Sequence, residues 1–328
     1  MSRRLIFGLS VLVLSFVIFA NIDSEVSAQN YPNKPIRFIV PFAPGGIADV
    51  VARIITPKLS ESLGQPIVID NRGGAGGTLG TDIAAKSLPD GYTFVVPAAS
   101  HTTTPSLYSK LSFDPVKDFV AVAQVVSAPW ALVVHPSVQA KSVKEFIELA
   151  KSKPGQLNFG SAGNGSSNHL AGELFNIMAG VKTVHVPYKG SGPAMVDLLG
   201  GHLSFMFDAI NTSIEHIQAG NLRPLAVSTL KRSRIAPDLP TISESGVPGY
   251  ESATWIGILA PAGTPKEIVT RLNNEIVKVL KLPEIRDRLS KQGTEPVGST
   301  PEEFDKFVKA EIAKWAKVIK DAGIPHVN

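Results

Sequence analysis

The sequence predicts an α/β fold built in two blocks. Three observations carry the prediction. Short β-branched runs alternate with amphipathic stretches from residue 35 onward, Gly- and Ser-rich segments stand where several of these runs give way to a helix, and the alternation breaks near residues 126–130 and then resumes. Strand, helix and strand in that order favour parallel sheets with helices on their faces. A chain of 328 residues suits one large or two medium domains with a sizeable core.

In the first block, residues 35–41 read as a strand. Residues 50–63 read as a helix, with Val50, Val51, Ile54, Ile55, Leu59 and Leu63 near one face and a kink expected at Pro57. Residues 66–70 form a second strand. The Gly-rich stretch 73–80 leads into a short helix, and Asp90-Gly91 turns the chain into a third strand, 92–97. After the expected break, residues 131–134 are a strand, and Ser142-x-x-Glu145 is a capping box opening a helix that stops at Pro154-Gly155. Strands are expected at 157–161, 183–187, 203–207, 224–228 and 255–260, with helices after Ser167 and through Leu199. Thr264-Pro265-x-Glu267 and Thr300-Pro301-x-Glu303 are capping boxes with Pro at the first helical position. The helix opened by the second buries Phe304, Phe307, Val308, Trp315 and Ile319. Periodicity allows either two consecutive domains or a first domain interrupted by the second.

Composition narrows the function. The absence of Cys excludes a disulfide scaffold, a thiol enzyme and Cys-ligated metal sites. The net charge of +4 is scattered, with one short cluster at Lys231-Arg232-Ser233-Arg234, so no stripe for nucleic acid is present. Arg3 and Arg4, the uncharged stretch 5–20 and Val26-Ser27-Ala28 before Gln29 follow the plan of a secretory signal peptide cleaved after Ala28. An uncleaved anchor is the alternative, but a span needs about 20 apolar residues. The mature protein is therefore expected in a periplasm.

Four Gly- and Ser-rich loops follow strands: 41–49, 71–78, 161–168 and 187–193. Ligands of open α/β sheets gather at the carboxyl ends of the strands, and a Gly loop running into a helix offers backbone N–H groups to an anion. The plainer reading of each loop is a tight turn needing positive φ. Catalytic patterns are weaker. Residues 74–80 loosely resemble a dinucleotide fingerprint, but the following strand ends without an acidic residue. No Gly-Lys-Ser/Thr or G-x-S-x-G occurs, and the seven His form no H-x-H or H-x-x-x-H pair. Asp49 and Asp208 are a candidate carboxylate pair, Asp49 alternatively capping or orienting its helix and Asp208 bonding a ligand or fixing its loop. Phe42 and Tyr188 either stack on a ligand or are core aromatics.

Tyr31-Pro32-x-Lys34-Pro35-Ile36-Arg37, Pro41-Phe42-Ala43-Pro44-Gly45-Gly46-x-x-Asp49, Asn71-Arg72-x-Gly74-Ala75-Gly76-Gly77 and Pro89-Asp90-Gly91-Tyr92-Thr93 resemble the Bug-type receptors, the solute-binding proteins of tripartite tricarboxylate transporters. Val186-Pro187-Tyr188-Lys189-Gly190, Leu239-Pro240-Thr241-Ile242-x-Glu244-x-Gly246 and Ala260-Pro261-Ala262-Gly263-Thr264-Pro265 extend the resemblance over nearly the whole mature chain.

The resemblance implies a two-domain periplasmic-binding-protein-like fold of type II, each domain a mainly parallel sheet flanked by helices, closing on its ligand like a flytrap. After the leader 1–28, residues 29–125 plus 248–328 would form one domain and 126–247 the other. The helices expected at 265–281 and 301–321 would pack on the sheet holding residues 36–40. In the family a ligand carboxylate is held by first-domain loops through backbone groups and waters, a role that falls here on Phe42, Gly45, Gly46 and Ile47 beside Asp49. Ser161, Ser166, Ser167, Asn168, Tyr188 and Asp208 would supply contacts from the second domain. The family's ligands include di- and tricarboxylates, acidic amino acids, nicotinate and aromatic acids. Ile47-Ala48 stands where small polar residues are frequent. The resemblance implies a monomer without catalysis, cofactor or metal, and membrane permease subunits or a sensor ectodomain as partners. The competing reading, an exported α/β enzyme acting on a small carboxylic acid, needs a reactive group that the sequence does not offer.

Overall fold

The computed structural model describes residues 31–326; the expected leader and its cleavage point after Ala28 lie outside them. Among these residues ten strands form one sheet in the order β2-β1-β3-β9-β4-β7-β5-β6, with β8 and β10 also on β4. The strands are β1 (Ile36–Val40), β2 (Ile67–Asn71), β3 (Thr93–Val95), β4 (Phe119–Val134), β5 (Asn158–Ser161), β6 (Val184–Pro187), β7 (Phe205–Ala209), β8 (Arg223–Val227), β9 (Ala253–Pro261) and β10 (Glu295–Pro296). The helices are α1 (Ile47–Leu63), α2 (Thr78–Ala85), α3 (Ser100–Leu107), α4 (Val143–Ser152), α5 (Ser167–Ala179), α6 (Ser191–Leu199), α7 (Ile210–Gln218), α8 (Lys266–Lys281), α9 (Pro283–Lys291) and α10 (Pro301–Asp321). β1 pairs in parallel with β2 and β3, and β5 with β6 and β7. The antiparallel pairs involve β4 or β9.

The expected break at 126–130 is not there. β4 runs unbroken for 16 residues. It pairs with β9 from Phe119 to Pro129, then with β7 from Trp130 to Val134 and with β8 from Ala131 to Val134. What the sequence interrupts is the partner, not the strand. Pro129 has no N–H to give the ladder, and it stands where the partner changes. The next N–H, of Trp130, donates to Ser228 Oγ at 2.8 Å. The expected domain limit at 125–126 thus falls inside a strand.

Two cores lie on either side of this exchange. Ile36 and Phe38 of β1 pack with Val51 and Ile55 of α1 and with Leu272 and Ile276 of α8. Phe146, Phe159, Phe175, Phe205 and Phe207 build the second. α10 spans both sides: Phe304 and Val308 join Ile39, Val95 and Trp255 in a further cluster on the β1–β3 side, whereas Trp315, Val318 and Ile319 join the core of Phe146 and Phe175. Its capping box forms, Thr300 Oγ1 accepting from Glu303 N–H and Glu303 Oε2 from Thr300 N–H. The expected box at Thr264 does not form. Its hydroxyl donates to Pro261 O at 2.8 Å, and Pro265 caps α8 without a side-chain bond. α3, α7 and α9 are helices beyond those expected. α3 contains three Thr and Pro105, all poor helix formers.

Candidate functional site

The loop after β1 is shaped by a buried acid. Gly45 has φ +85°, and its N–H donates to Asp49 Oδ2 at 2.9 Å. Arg53 Nε donates to the same oxygen at 2.9 Å, and Asn71 Nδ2 donates to Oδ1 at 3.0 Å and to Phe42 O at 3.2 Å. Asp49 is only 2% exposed. Burial pushes its carboxyl up, but the bonds from Arg53, Gly45 and Asn71 outweigh burial and hold it below the usual range. Asp49 therefore frames the loop, with both oxygens bonded within it. The N–H of Gly45 is likewise bonded inside the loop. Gly46 N-caps α1 with φ −70° and ψ 162° and no side-chain bond. The first-turn amides that follow, beginning with Ile47 and Ala48, have no acceptor within the helix. Phe42 and Ile47 are half-buried beside them, while Gly45 and Gly46 are exposed.

The loop after β2 crosses close to this one. A Cβ on Gly80 would lie 2.6 Å from Arg72 O and 2.8 Å from Pro41 Cα, so only Gly lets α2 approach. α2 and α6 both start on Gly, at Gly77 and Gly190, without a side-chain cap.

In the second block, the loop between β5 and α5 is bonded to itself. Ser161 Oγ lies 2.6 Å from His185 Nε2 and 3.1 Å from both the O and the N of Gly163. Ser166 N-caps α5, accepting from His169 N–H at 3.4 Å, with its Oγ 2.6 Å from Gly163 O and 2.8 Å from Asn168 Oδ1. Asn168 Oδ1 also accepts from Ala162 N–H at 3.2 Å. Ser167 is half-buried at the first position of α5. Tyr188 OH donates to Asp197 Oδ2 at 2.6 Å, and burial together with that bond pushes the phenol up to about 12. Asp208, 3% exposed, accepts from Thr212 and Ser213 at 2.6 and 2.7 Å, and burial raises its carboxyl despite them. It lies on β7 opposite Ala131, and Asp49 on α1, so the two acids are fixed in separate local networks. Ser161, Asn168 and Asp208 are thus buried frame residues of their loops. Ser166, Ser167, Tyr188 and the exposed Asn164 make up its more open surface.

Residues at the end of α3, missed in the sequence, connect the two sets of loops. A Cβ on Gly76 would lie 2.9 Å from Tyr108 OH, and a Cβ on Gly165 would lie 2.9 Å from Leu107 Cδ1. No spacing motif marks Leu107 and Tyr108. The signal they carried was a lone Leu-Tyr pair after a Pro-bearing Thr run.

The Ser161–His185 contact is not a catalytic triad. Ser161 is fully buried, and the nearby acid Glu173 stands 3.7 Å from His169 Nε2. Gly-started helices following parallel strands, with the loop carboxylate turned inward, leave backbone amides at the helix starts available to an anion. The chain belongs to the tripartite tricarboxylate transporter receptor family, whose model matches residues 51–324. It is 40% identical over 310 residues to protein BugT of Bordetella pertussis, covering 94% of this chain and 95% of BugT. Its fold is similar to that of R. palustris Rpa4515 solved with adipate (41% identity, TM-score 0.75, 90% and 100% of the two chains). It is similar also to MatC of Rhodopseudomonas palustris with bound malate (34% identity, TM-score 0.70, 88% and 100%).

Proposed function

We propose that the protein is a periplasmic receptor that captures a small dicarboxylate between two lobes and delivers it to the permease subunits of its transporter or to a sensor. The observation that carries this reading is the start of α1. Gly46 provides no side-chain cap, and the one acid of that turn is drawn inward by Arg53, Asn71 and Gly45. The first-turn amides and the positive end of the helix dipole then hold a carboxylate without competition. Phe42 and Ile47 line this end, and Ser166, Ser167 and Tyr188 meet the variable part of the ligand from the other lobe. The relatives solved with adipate and malate support a ligand with two carboxylates.

The lobes of this reading are residues 29–125 with 248–328 and residues 126–247, and β4 and β9 are the strands that cross between them. Cleavage after Ala28 releases the mature chain. Calorimetry and thermal shift with adipate, malate and a monocarboxylate of equal length test the ligand class. Dicarboxylates are expected to raise the melting point by mass action. No shift with any carboxylate would sink the reading. X-ray scattering with and without the dicarboxylate that binds tests closure, which shortens the radius of gyration.

A further inference from the structure

Behind the second set of loops two imidazoles stack. The rings of His169 on α5 and His185 on β6 have centroids 3.7 Å apart and planes 16° apart. Phe159 of β5 packs on both, at 6.3 Å from His169 and 5.0 Å from His185. Each imidazole holds the loop between β5 and α5 by one hydrogen bond. Gly165 N–H donates to Nδ1 of His169 at 3.0 Å. Nε2 of His185 lies 2.6 Å from Ser161 Oγ, which is itself bonded to the N–H and the carbonyl of Gly163.

The donor at Gly165 sets what this bond needs. A backbone N–H can only donate, so the bond requires the lone pair of Nδ1 of His169 and leaves Nε2 as the other ring nitrogen. That nitrogen faces Glu173 Oε1 at 3.7 Å. A proton on Nδ1 would set two donors against each other and break the bond to Gly165. A charge on His185 would lie against the second ring. Burial first, and His169 next, hold His185 down to about 4, with Glu173 opposing. The charged group on α5 that faces the pair is Glu173. Phe159 and Ser161 of β5 are uncharged, and Asp197 of α6 is tied to the Tyr188 hydroxyl.

We propose that His169 and His185 are positioning residues for the ligand loop, His169 locking residues 161–166 in place only while its Nδ1 keeps the lone pair that Gly165 N–H needs, so that acidification releases the carboxylate. The release half rests on the reading that this loop contacts the ligand.

Two substitutions keep the geometry and remove the titration. His169→Asn places an amide oxygen where Nδ1 lies, and His185→Gln carries an amide to the reach of Nε2. In ligand-free protein, the Gly163 and Gly165 amide resonances are expected to shift together with the imidazole resonances between about pH 7.5 and about pH 4, and to stay still in the double variant. Glycine amides that stay fixed in the wild type while the imidazoles titrate overturn the lock, whatever the ligand is. Calorimetry with adipate and malate at the two ends of this range reads the release. The wild type is expected to lose at least about 10-fold more affinity than the double variant, a comparison that cancels the protonation of the acid itself. Equal losses overturn the coupling. Absence of binding to either acid at the higher pH overturns the carboxylate reading on which release depends, and the ligand-free spectra decide the lock on their own.

Discussion

Phe304 and Trp315 lie on one helix and pack into different cores. Phe304 meets Trp255 edge to face at 5.4 Å, among residues of the β1–β3 side, whereas Trp315 joins the core of Phe146 and Phe175. Trp315 also donates from Nε1 to Glu311 Oε2 at 2.8 Å. α10 thus ties the two halves of the sheet together. Phe304→Ala and Trp315→Ala should each cost about 3–5 kcal/mol, because each empties a fully packed site. Because the helix is shared, both cores should still melt together. Urea curves followed by far-ultraviolet dichroism and by fluorescence should coincide in each variant; two separate transitions would show that α10 does not couple the halves.

Gly46 offers a clean probe of the anion site. Its φ of −70° is open to any residue, and a new Cβ would meet Ala43 O at an ordinary 3.5 Å. Gly46→Val should fold normally, yet crowd the first turn of α1 and weaken every carboxylate together, by about 10-fold or more. Calorimetry on several carboxylates checks this, with dichroism to confirm folding. Unchanged affinity in the folded variant would place the carboxylate elsewhere.

Asp49 should act through the loop and not by contact. Asp49→Asn keeps the shape but loses the charge facing Arg53 and replaces one accepting oxygen by a donating NH2, so either Asn71 Nδ2 or the Arg53 and Gly45 donors face a donor. Arg53 is more than half exposed, so little stability is at stake. Affinity should fall by about 5-fold for all carboxylates alike, through a loop less well held. A change in ranking among ligands would instead mean that Asp49 touches them.

Acid should weaken the fold through His101. This ring is 5% exposed, with Nε2 2.9 Å from Pro115 O, and burial holds its pKa down to about 4 although that bond opposes. The unfolded chain takes up the proton near 6.5, so the unfolded state binds more protons between the two values. Stability is intact above the upper value and falls as pH drops through the window. The loss approaches about 3 kcal/mol at its lower end. His101→Gln should flatten this part of the curve. Urea midpoints across the window check it, and an unchanged slope would assign the acid sensitivity to other groups.

The elements with regular spacing were legible in the sequence. The apolar face of α1, the cap of α10 and the Gly loops after β1 and β5 each follow from local patterns. α3 was hidden because Thr102, Thr103, Thr104 and Pro105 lack helix propensity, and Tyr108 comes into view only through its position beside Gly76. Thr264 has the spacing of a cap but turns its hydroxyl back to Pro261. Within the site, residue type located the loops but not how their hydrogen bonds are spent. That Gly45 serves Asp49, that Tyr188 serves Asp197 and that Ser161 meets His185 depends on tertiary placement, which no spacing encodes.

The exchange of partners at Pro129 bears on how this chain can be cut. β4 finds its partner β9 more than a hundred positions downstream, and that pairing must wait until most of the protein has been made. A fragment ending before residue 253 would leave the stretch from Phe119 to Pro129 with an open row of backbone donors and acceptors beside buried valines. Such an edge invites pairing with another copy. Neither half of this molecule is a module that can be lifted out, and fragments that separate them should aggregate unless β9 travels with β4.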